Sequence, residues 1–318
     1  MVNVPGLKVV FLGTPQFAVP TLDALLASSH SVVGVVTQPD KPRGRGQKET
    51  DAPVKARAVA ANLKILQPST LKDPAVLADL ADLGADIGVV AAYGKILTQA
   101  VLDIPRLGLI NVHASLLPRY RGAAPVHRAV IAGETVTGVT IMRVVRALDA
   151  GAMLATVKRP VGPNDTSEEV ERDLAALGAA LLVQTLDRMA SGPVEEVPQD
   201  ESLANYAHRL TKEDGLIDWS RSAADIHNQI RGLHPWPHAY SYLEGQRLIL
   251  WRSTWSADPS PADPGTVLAA DGDQLRIATG HGTLLITELQ AEGRRAARTR
   301  EFLAGRKIPT GVRFSAHP

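Results

Sequence analysis

No cysteine occurs among the 318 residues, which removes disulfides, thiolate metal sites and cysteine nucleophiles together and suits a reducing compartment. Long apolar runs are missing as well. Stretches such as Ile87 to Ala92 and Ala179 to Val183 fall far short of the ~20 residues that span a bilayer, so no membrane partner is expected. The first residues lack the basic start and apolar stretch of a secretion signal, and a cytoplasmic protein is expected. The phosphate-cradling glycine motifs are absent too: the turn after the first apolar run reads FLGTPQFAVP (Phe11 to Pro20), not GxGxxG, and no Walker Gly-Lys-Ser/Thr occurs. A nucleotide cofactor is therefore disfavoured. Neither His-Glu-x-x-His nor a carboxylate cluster is present, and no metal is expected. Charge of neither sign dominates. The 34 basic and 33 acidic residues leave +1, so a nucleic-acid partner must be met by local clusters rather than a global field.

What remains is a globular composition, 45% hydrophobic and 21% charged, in a chain long enough for two domains. Apolar, β-branched runs at Val9 to Leu12, Ser31 to Thr37, Ile87 to Ala91 and Leu109 to Val112 alternate with helical patterns at Pro20 to Ser28, Pro53 to Asn62 and Pro74 to Leu83. That rhythm predicts an α/β domain built on an open, mainly parallel sheet. A longer helix is expected from Ser167 to about Ala190, with Val170, Leu174, Leu177 and Leu181 at helical spacing and Thr166-Ser167-Glu168-Glu169 supplying capping chemistry. The polar stretch SGPVEEVPQDESLAN (Ser191 to Asn205) then reads as a linker. Beyond it, Ile226, Ile230 and Leu233 predict a short helix, and turn signals at Glu244-Gly245, Asp263-Pro264-Gly265, Asp271-Gly272 and His281-Gly282 predict a small antiparallel barrel. The expected division is a catalytic domain over 1–190, a linker over 191–208 and a second domain over 209–318.

The densest polar cluster, INVHASLLPRYRGAAP (Ile110 to Pro125), follows an expected strand, and ligands of open α/β sheets bind beyond the carboxyl ends of strands. Asn111, His113 and Ser115 are two apart, which in extended chain turns an amide, an imidazole and a hydroxyl toward one face. Asp149, in a Gly-containing turn between two apolar runs, is a candidate third member. Spacing alone leaves the bland reading open, because a strand-end His is commonly structural and Asp before a turn Gly is commonly a turn former. A Ser/His/Asp hydrolase is disfavoured, since Ser115 lacks the GxSxG elbow.

These strings carry a resemblance. INVHASLLPRYRGAAP, FLGTPQFAVP, VVTQPDKPRGRGQK, TGVTIM and LDAG, with IDWS at Ile217 and HPWP at His234, are similar to those of the methionyl-tRNA formyltransferases within the folate-dependent formyltransferase family. The resemblance covers nearly the whole chain. It implies a Rossmann-like first domain with helices on both faces of the sheet, an OB-like second domain, and transfer of formyl from 10-formyltetrahydrofolate to the α-amino group of methionyl initiator tRNA by a monomer. It further implies Asn111 as donor to the oxyanion, His113 as the polarising or proton-relaying imidazole, Asp149 as the carboxylate that orients it, and Ser115, Leu116, Leu117 and Pro118 as the folate-contacting segment. One departure stands out: the family commonly reads Gly-Leu-Asp-Thr-Gly-Asp where this chain has Ala147-Leu148-Asp149-Ala150-Gly151-Ala152, which leaves the loop no polar side chain besides the aspartate.

Between Lys41 and Arg57, six basic residues face Glu49 and Asp51, with Gly44 and Gly46 interleaved. A charge run of this size is ordinarily solvated surface, but this one follows the second strand and so lies on the expected active-site side. The resemblance makes Lys41, Arg43, Arg45 and Lys48 the grip on the tRNA acceptor arm, with Arg45 central. Arg294, Arg295, Arg298, Arg300, Arg306 and Lys307 would add a basic flank to the second domain. The competing readings are a 10-formyltetrahydrofolate hydrolase, an amino-sugar formyltransferase and a tRNA-binding factor with a vestigial folate pocket.

Overall fold

The computed structural model describes residues 6–40, 42–43, 48–49 and 51–317. The first compact unit draws on residues 1–122, 138–159 and 171–206, and the second on 123–137, 160–170 and 207–318. The division is thus not one cut: two excursions of the chain belong to the second unit, and the polar stretch from 191 to 206, expected as a linker, belongs to the first.

The first unit is organised by seven strands: β1 (Lys8–Gly13), β2 (Ser31–Val36), β3 (Ile65–Leu66), β4 (Ile87–Ala91), β5 (Leu109–His113), β6 (Val136–Arg143) and β7 (Met153–Pro160). They lie in the order β7-β6-β5-β4-β1-β2-β3. β1 pairs parallel with β2 and β4, β2 with β3, and β4 with β5, whereas β6 runs antiparallel to β5. The chain therefore winds outward from β1 to β3 and then restarts on the other side of β1, the Rossmann-like reversal that opens a crevice at the strands' carboxyl ends. Central strands are buried on both faces, as every residue of β4 is, which explains their unbroken apolar runs. The edge strand β7 alternates instead, with one face exposed.

Helices α1 (Val19–Leu26), α2 (Pro53–Ala60), α3 (Pro74–Ala81) and α4 (Gln99–Leu102) join these strands, and α1 to α3 each carry Pro in the first turn, where its missing N–H costs nothing. Helix α5 (Pro125–Ile131) begins the same way. The long helix α6 (Ser167–Ser191) opens on the expected capping box: Glu169 N–H donates to Thr166 Oγ1 at 3.3 Å while Glu169 Oε2 accepts from Thr166 N–H at 2.8 Å. Leu174, Leu182 and Leu186 are fully buried, each stabilising by about 1.5–3 kcal/mol. Gly178 marks where α6 crosses the sheet. A Cβ there would lie 2.8 Å from Val112 of β5 and 3.1 Å from Val139 of β6.

In the second unit, α7 (Ala223–Gly232) packs against a curled antiparallel sheet of β8 (Ala239–Leu243), β9 (Gln246–Ser256), β10 (Val267–Asp271), β11 (Gln274–Ala278), β12 (Thr283–Ala291) and β13 (Phe314–Ser315), in the order β10-β11-β12-β9-β8-β13. Ile226, Ile230 and Leu233 join Leu248, Leu250, Leu275, Ile277, Leu284 and Ile286 in one core. This half-barrel matches the expected OB-like domain.

Candidate active site

Strand β5 ends in Asn111-Val112-His113, and the period-2 alternation of a strand separates their faces. Val112 is 3% exposed and abuts Gly178 of α6, so Asn111 and His113 share the opposite face. Asn111 is half-buried, and among the described residues its carboxamide makes no hydrogen bond. It is a free donor and acceptor at the carboxyl end of the sheet.

His113 is 5% exposed. Its Nε2 lies 3.0 Å from the carbonyl oxygen of Tyr120, which can only accept, so Nε2 carries the hydrogen. Nδ1 is 3.7 Å from Asp149 Oδ2, beyond hydrogen-bond length. Nδ1 thus faces the carboxylate at a distance that a proton on Nδ1 or a bridging water closes. The ring's orientation comes from the Tyr120 carbonyl rather than from Asp149, which had been expected to hold it.

Asp149 occupies the turn between β6 and β7 with φ +48°, and Tyr120 has φ +60°. Non-glycine residues held in this region cost of order 1–3 kcal/mol each and persist only where the surroundings over-determine them. Here they do. Asp149 Oδ2 accepts from Gly122 N–H at 2.8 Å, and Gln199 Nε2 donates to the carbonyls of both Asp149 and Gly151 at 2.8 Å. Gly151 has no alternative residue, because a Cβ would sit 1.9 Å from the Arg143 carbonyl oxygen. The loop lacking polar side chains at Ala147, Ala150 and Ala152 is therefore satisfied from outside itself.

Gln199 is in turn held by Arg121, whose Nε and Nη2 donate to its Oε1 at 3.1 and 2.8 Å, while Nη1 and Nη2 form a bidentate pair with Glu201 at 2.9 and 2.7 Å. Arg121 is 2% exposed, and its hydrogen bonds to Glu201 raise its already high pKa. Asn205 binds the same ribbon, taking Tyr120 N–H on its side chain and Arg121 N–H on its carbonyl. Tyr120, Arg121, Gln199 and Asn205 were missed in the sequence, although Tyr120 and Arg121 lie within the motif that drew attention to the site.

Of the segment expected to contact folate, Ser115 is fully buried, and its hydroxyl donates to the Arg119 carbonyl at 2.7 Å, closing the turn. Its side chain does not join Asn111 and His113. Thr140 Oγ1 donates to the Ser115 carbonyl at 2.8 Å and accepts from Leu117 N–H at 3.2 Å. Leu117 is buried, Leu116 packs where Gly138 leaves room, and Leu116 and Pro118 are part-exposed. At the ends of β1 and β2, Thr14 Oγ1 and Gln38 Nε2 both donate to the Tyr93 carbonyl, at 3.3 and 2.7 Å, binding together the carboxyl ends of β1, β2 and β4. Burial pushes the Tyr93 phenol up to about 12.

In the basic loop, Pro42–Arg43 pairs antiparallel with Lys48–Glu49 as a short ribbon. Lys41 and Arg45 lie outside the described residues. Among the described residues, no three of His, Asp and Glu group closely enough to hold a metal ion, and no helix is long and apolar enough to cross a membrane.

Two family descriptions match the chain: formyl transferase over residues 7–186, and formyl transferase, C-terminal domain, over residues 209–307. The methionyl-tRNA formyltransferase of Geobacter sulfurreducens is 44% identical over 309 residues, covering 97% of this chain and 97% of its own. That of Pelotomaculum thermopropionicum is 47% identical over 307 residues, 96% of this chain and 98% of its own. Among solved structures, the N-formyltransferase from Helicobacter canadensis, in complex with folinic acid and dTDP-3-aminofucose, superposes with a TM-score of 0.67 at 18% identity, covering 88% of this chain and 99% of its own. HypX from Aquifex aeolicus in complex with tetrahydrofolic acid gives 0.64 at 16% identity, covering 96% and 50%. At such identities these two structures speak for the fold alone.

Proposed function

Because this chain belongs to the methionyl-tRNA formyltransferase family, we propose that Asn111, His113 and Asp149 carry formyl transfer from 10-formyltetrahydrofolate to the α-amino group of methionyl initiator tRNA. The observation that carries this reading is the free Asn111 carboxamide on the same strand face as His113, whose Nδ1 looks toward Asp149, at the crevice end of the sheet. Amine attack on the formyl carbon places negative charge on the formyl oxygen and positive charge on the attacking nitrogen. Asn111 Nδ2 donates to that oxygen. His113 Nδ1 is the ring position free to take up or pass on the amine proton, and the Asp149 carboxylate stabilises the positive charge while this happens. The tetrahedral adduct made by the new C–N bond then collapses by breaking the bond from the formyl carbon to the folate nitrogen, and the proton lost by the amine ends on that departing nitrogen.

The residue types fit a folate-derived donor in that an unspent amide donor meets the formyl oxygen, with the 115–118 segment beside it. Ser115 contributes turn geometry rather than its hydroxyl. Lys41, Arg43, Arg45 and Lys48 are the proposed contacts to the acceptor arm. A monomer is the proposed form, and a charged initiator tRNA is met in the cytoplasm. The test incubates the protein with 10-formyltetrahydrofolate and, in separate arms, charged initiator tRNA, charged elongator tRNA, a dTDP-amino sugar, or water alone. Formylation confined to the charged initiator tRNA is expected. Donor consumption in the water arm, or formylation of the sugar, would overturn the acceptor assignment.

A further inference from the structure

The Asp149 loop has a positive backbone angle, no polar side chain of its own besides the aspartate, and two carbonyls, of Asp149 and Gly151, that turn toward a single amide group. We propose that Gln199 is a positioning residue for formyl transfer: by bridging those two carbonyls to the buried Arg121 guanidinium, it sets the distance between the Asp149 carboxylate and His113. The inference rests on the catalytic reading of Asp149 and His113 given above.

The geometry is closed on every side. Tyr120, Arg121 and Gly122 form one ribbon whose Tyr120 carbonyl accepts from His113 and whose Gly122 N–H donates to Asp149. Both catalytic side chains therefore read their positions from successive peptide groups of that ribbon. Asn205 fixes it from the opposite side by taking the N–H groups of Tyr120 and Arg121. Gln199 links ribbon to loop: its Oε1 takes two Arg121 donors and its Nε2 supplies both loop carbonyls, so all of its hydrogen-bonding capacity is spent between these two elements. Reciprocal bonds between Val197 and Met153, at 2.8 and 2.9 Å, bring the segment alongside the start of β7, and Arg143 Nε donates to Glu196 Oε1 at 2.8 Å. A segment that reads as a linker in sequence is thus registered, residue by residue, against the loop that carries the carboxylate. An Asp149 displaced by an ångström would face His113 from a distance at which its charge counts for much less, and such displacements cost about 10²-fold in rate.

The experiment is a double-mutant cycle in kcat and KM, on proteins whose circular dichroism and melting match the parent. Gln199→Ala should lower kcat by about 10- to 100-fold with KM for tRNA and donor within about threefold. Gln199→Glu keeps the size and the Arg121 partner but turns an oxygen toward two carbonyls, and it should lose a comparable factor; it decides the matter if the alanine variant melts. In an Asp149→Asn background the same Gln199 substitution should cost less than about threefold further, whereas in an Asn111→Ala background it should cost its full factor. Parent-like kcat in Gln199→Glu, or equal losses in both backgrounds, would overturn the positioning role. Parent-like kcat in Asp149→Asn itself would instead overturn the catalytic reading beneath it, so the two failures are distinguishable.

Discussion

Replacing Asp149 by Asn tests the site at the point where charge and shape separate. The Oδ2 of Asp149 accepts from Gly122 N–H at 2.8 Å, and an asparagine oxygen accepts that bond equally well, so the turn should survive. What changes is the charge. The same Oδ2 faces His113 Nδ1 at 3.7 Å, so in the asparagine variant that nitrogen would face an uncharged amide oxygen in place of a carboxylate. With the two side chains 6% and 16% exposed, an effective dielectric of about 20 applies, and opposite unit charges 3.7 Å apart interact by about 4.5 kcal/mol. If positive charge reaches the ring only in the transition state, that interaction is absent from substrate binding and appears whole in kcat. The expected loss is therefore about 10²- to 10³-fold in kcat, the lower end applying if water screens the pair, with little change in KM for tRNA. Single-turnover formylation of charged initiator tRNA measures the chemical step without product release. A rate constant within about threefold of the parent, in a variant that melts normally, would refute the electrostatic role and leave Asp149 as a turn residue.

Asn111→Ala removes the proposed oxyanion donor and should cost about 10²- to 10³-fold in kcat while leaving folate and tRNA binding near normal; comparable turnover in the folded variant would rule the donor out. Arg45→Ala should weaken tRNA use and make the logarithmic salt dependence shallower by ~0.7 to 0.9, leaving donor binding intact, as read by binding at several salt concentrations. Unchanged affinity and slope would leave tRNA recognition to the second unit. Stability should fall on acidification, because burial, aided by the charge of Arg128 beside His127 and of His234 beside His238, holds both imidazoles at about 4 against an ordinary 6.5. Between pH 6.5 and 4 the unfolded chain takes up protons that the folded one declines, so each ring removes up to about 3 kcal/mol as pH falls through that window. Melting temperature against pH checks this, and a His127→Asn, His238→Asn double variant that melts as steeply with acid as the parent would refute it.

Much of the architecture was written in local pattern. The runs Val9 to Leu12, Ile87 to Ala91 and Leu109 to Val112 became β1, β4 and β5 nearly to the residue, because strands buried on both faces must be apolar throughout. Thr166 and Glu169 announced the start of α6 through a capping chemistry confined to four residues. Asn111 and His113 were legible for the same kind of reason, since alternate residues at a strand's carboxyl end must share a face. Ser115 broke that extrapolation. The extended strand stops at His113, and a turn closed by the Ser115 hydroxyl takes over, so alternation no longer says where its side chain goes.

What sequence could determine by itself was whatever depends on neighbours along the chain: periodicity, caps, turns, and the residue types able to do acyl chemistry. Tertiary structure alone decided which groups hold the catalytic ones. The His113 ring is oriented by a carbonyl seven residues on, the Asp149 loop by an amide fifty residues on, and Arg121 by a carboxylate eighty residues on. None of these separations has a period, and the last two follow from the placing of the 191–206 segment within the first unit, a stretch whose polar, proline-containing composition carries no signal of where it docks. The alanines of the aspartate loop make the point in reverse. In sequence they read as missing hydrogen-bonding groups, whereas in the fold the loop carbonyls are met by Gln199, because a backbone acceptor must find a donor but places no condition on where along the chain that donor lies.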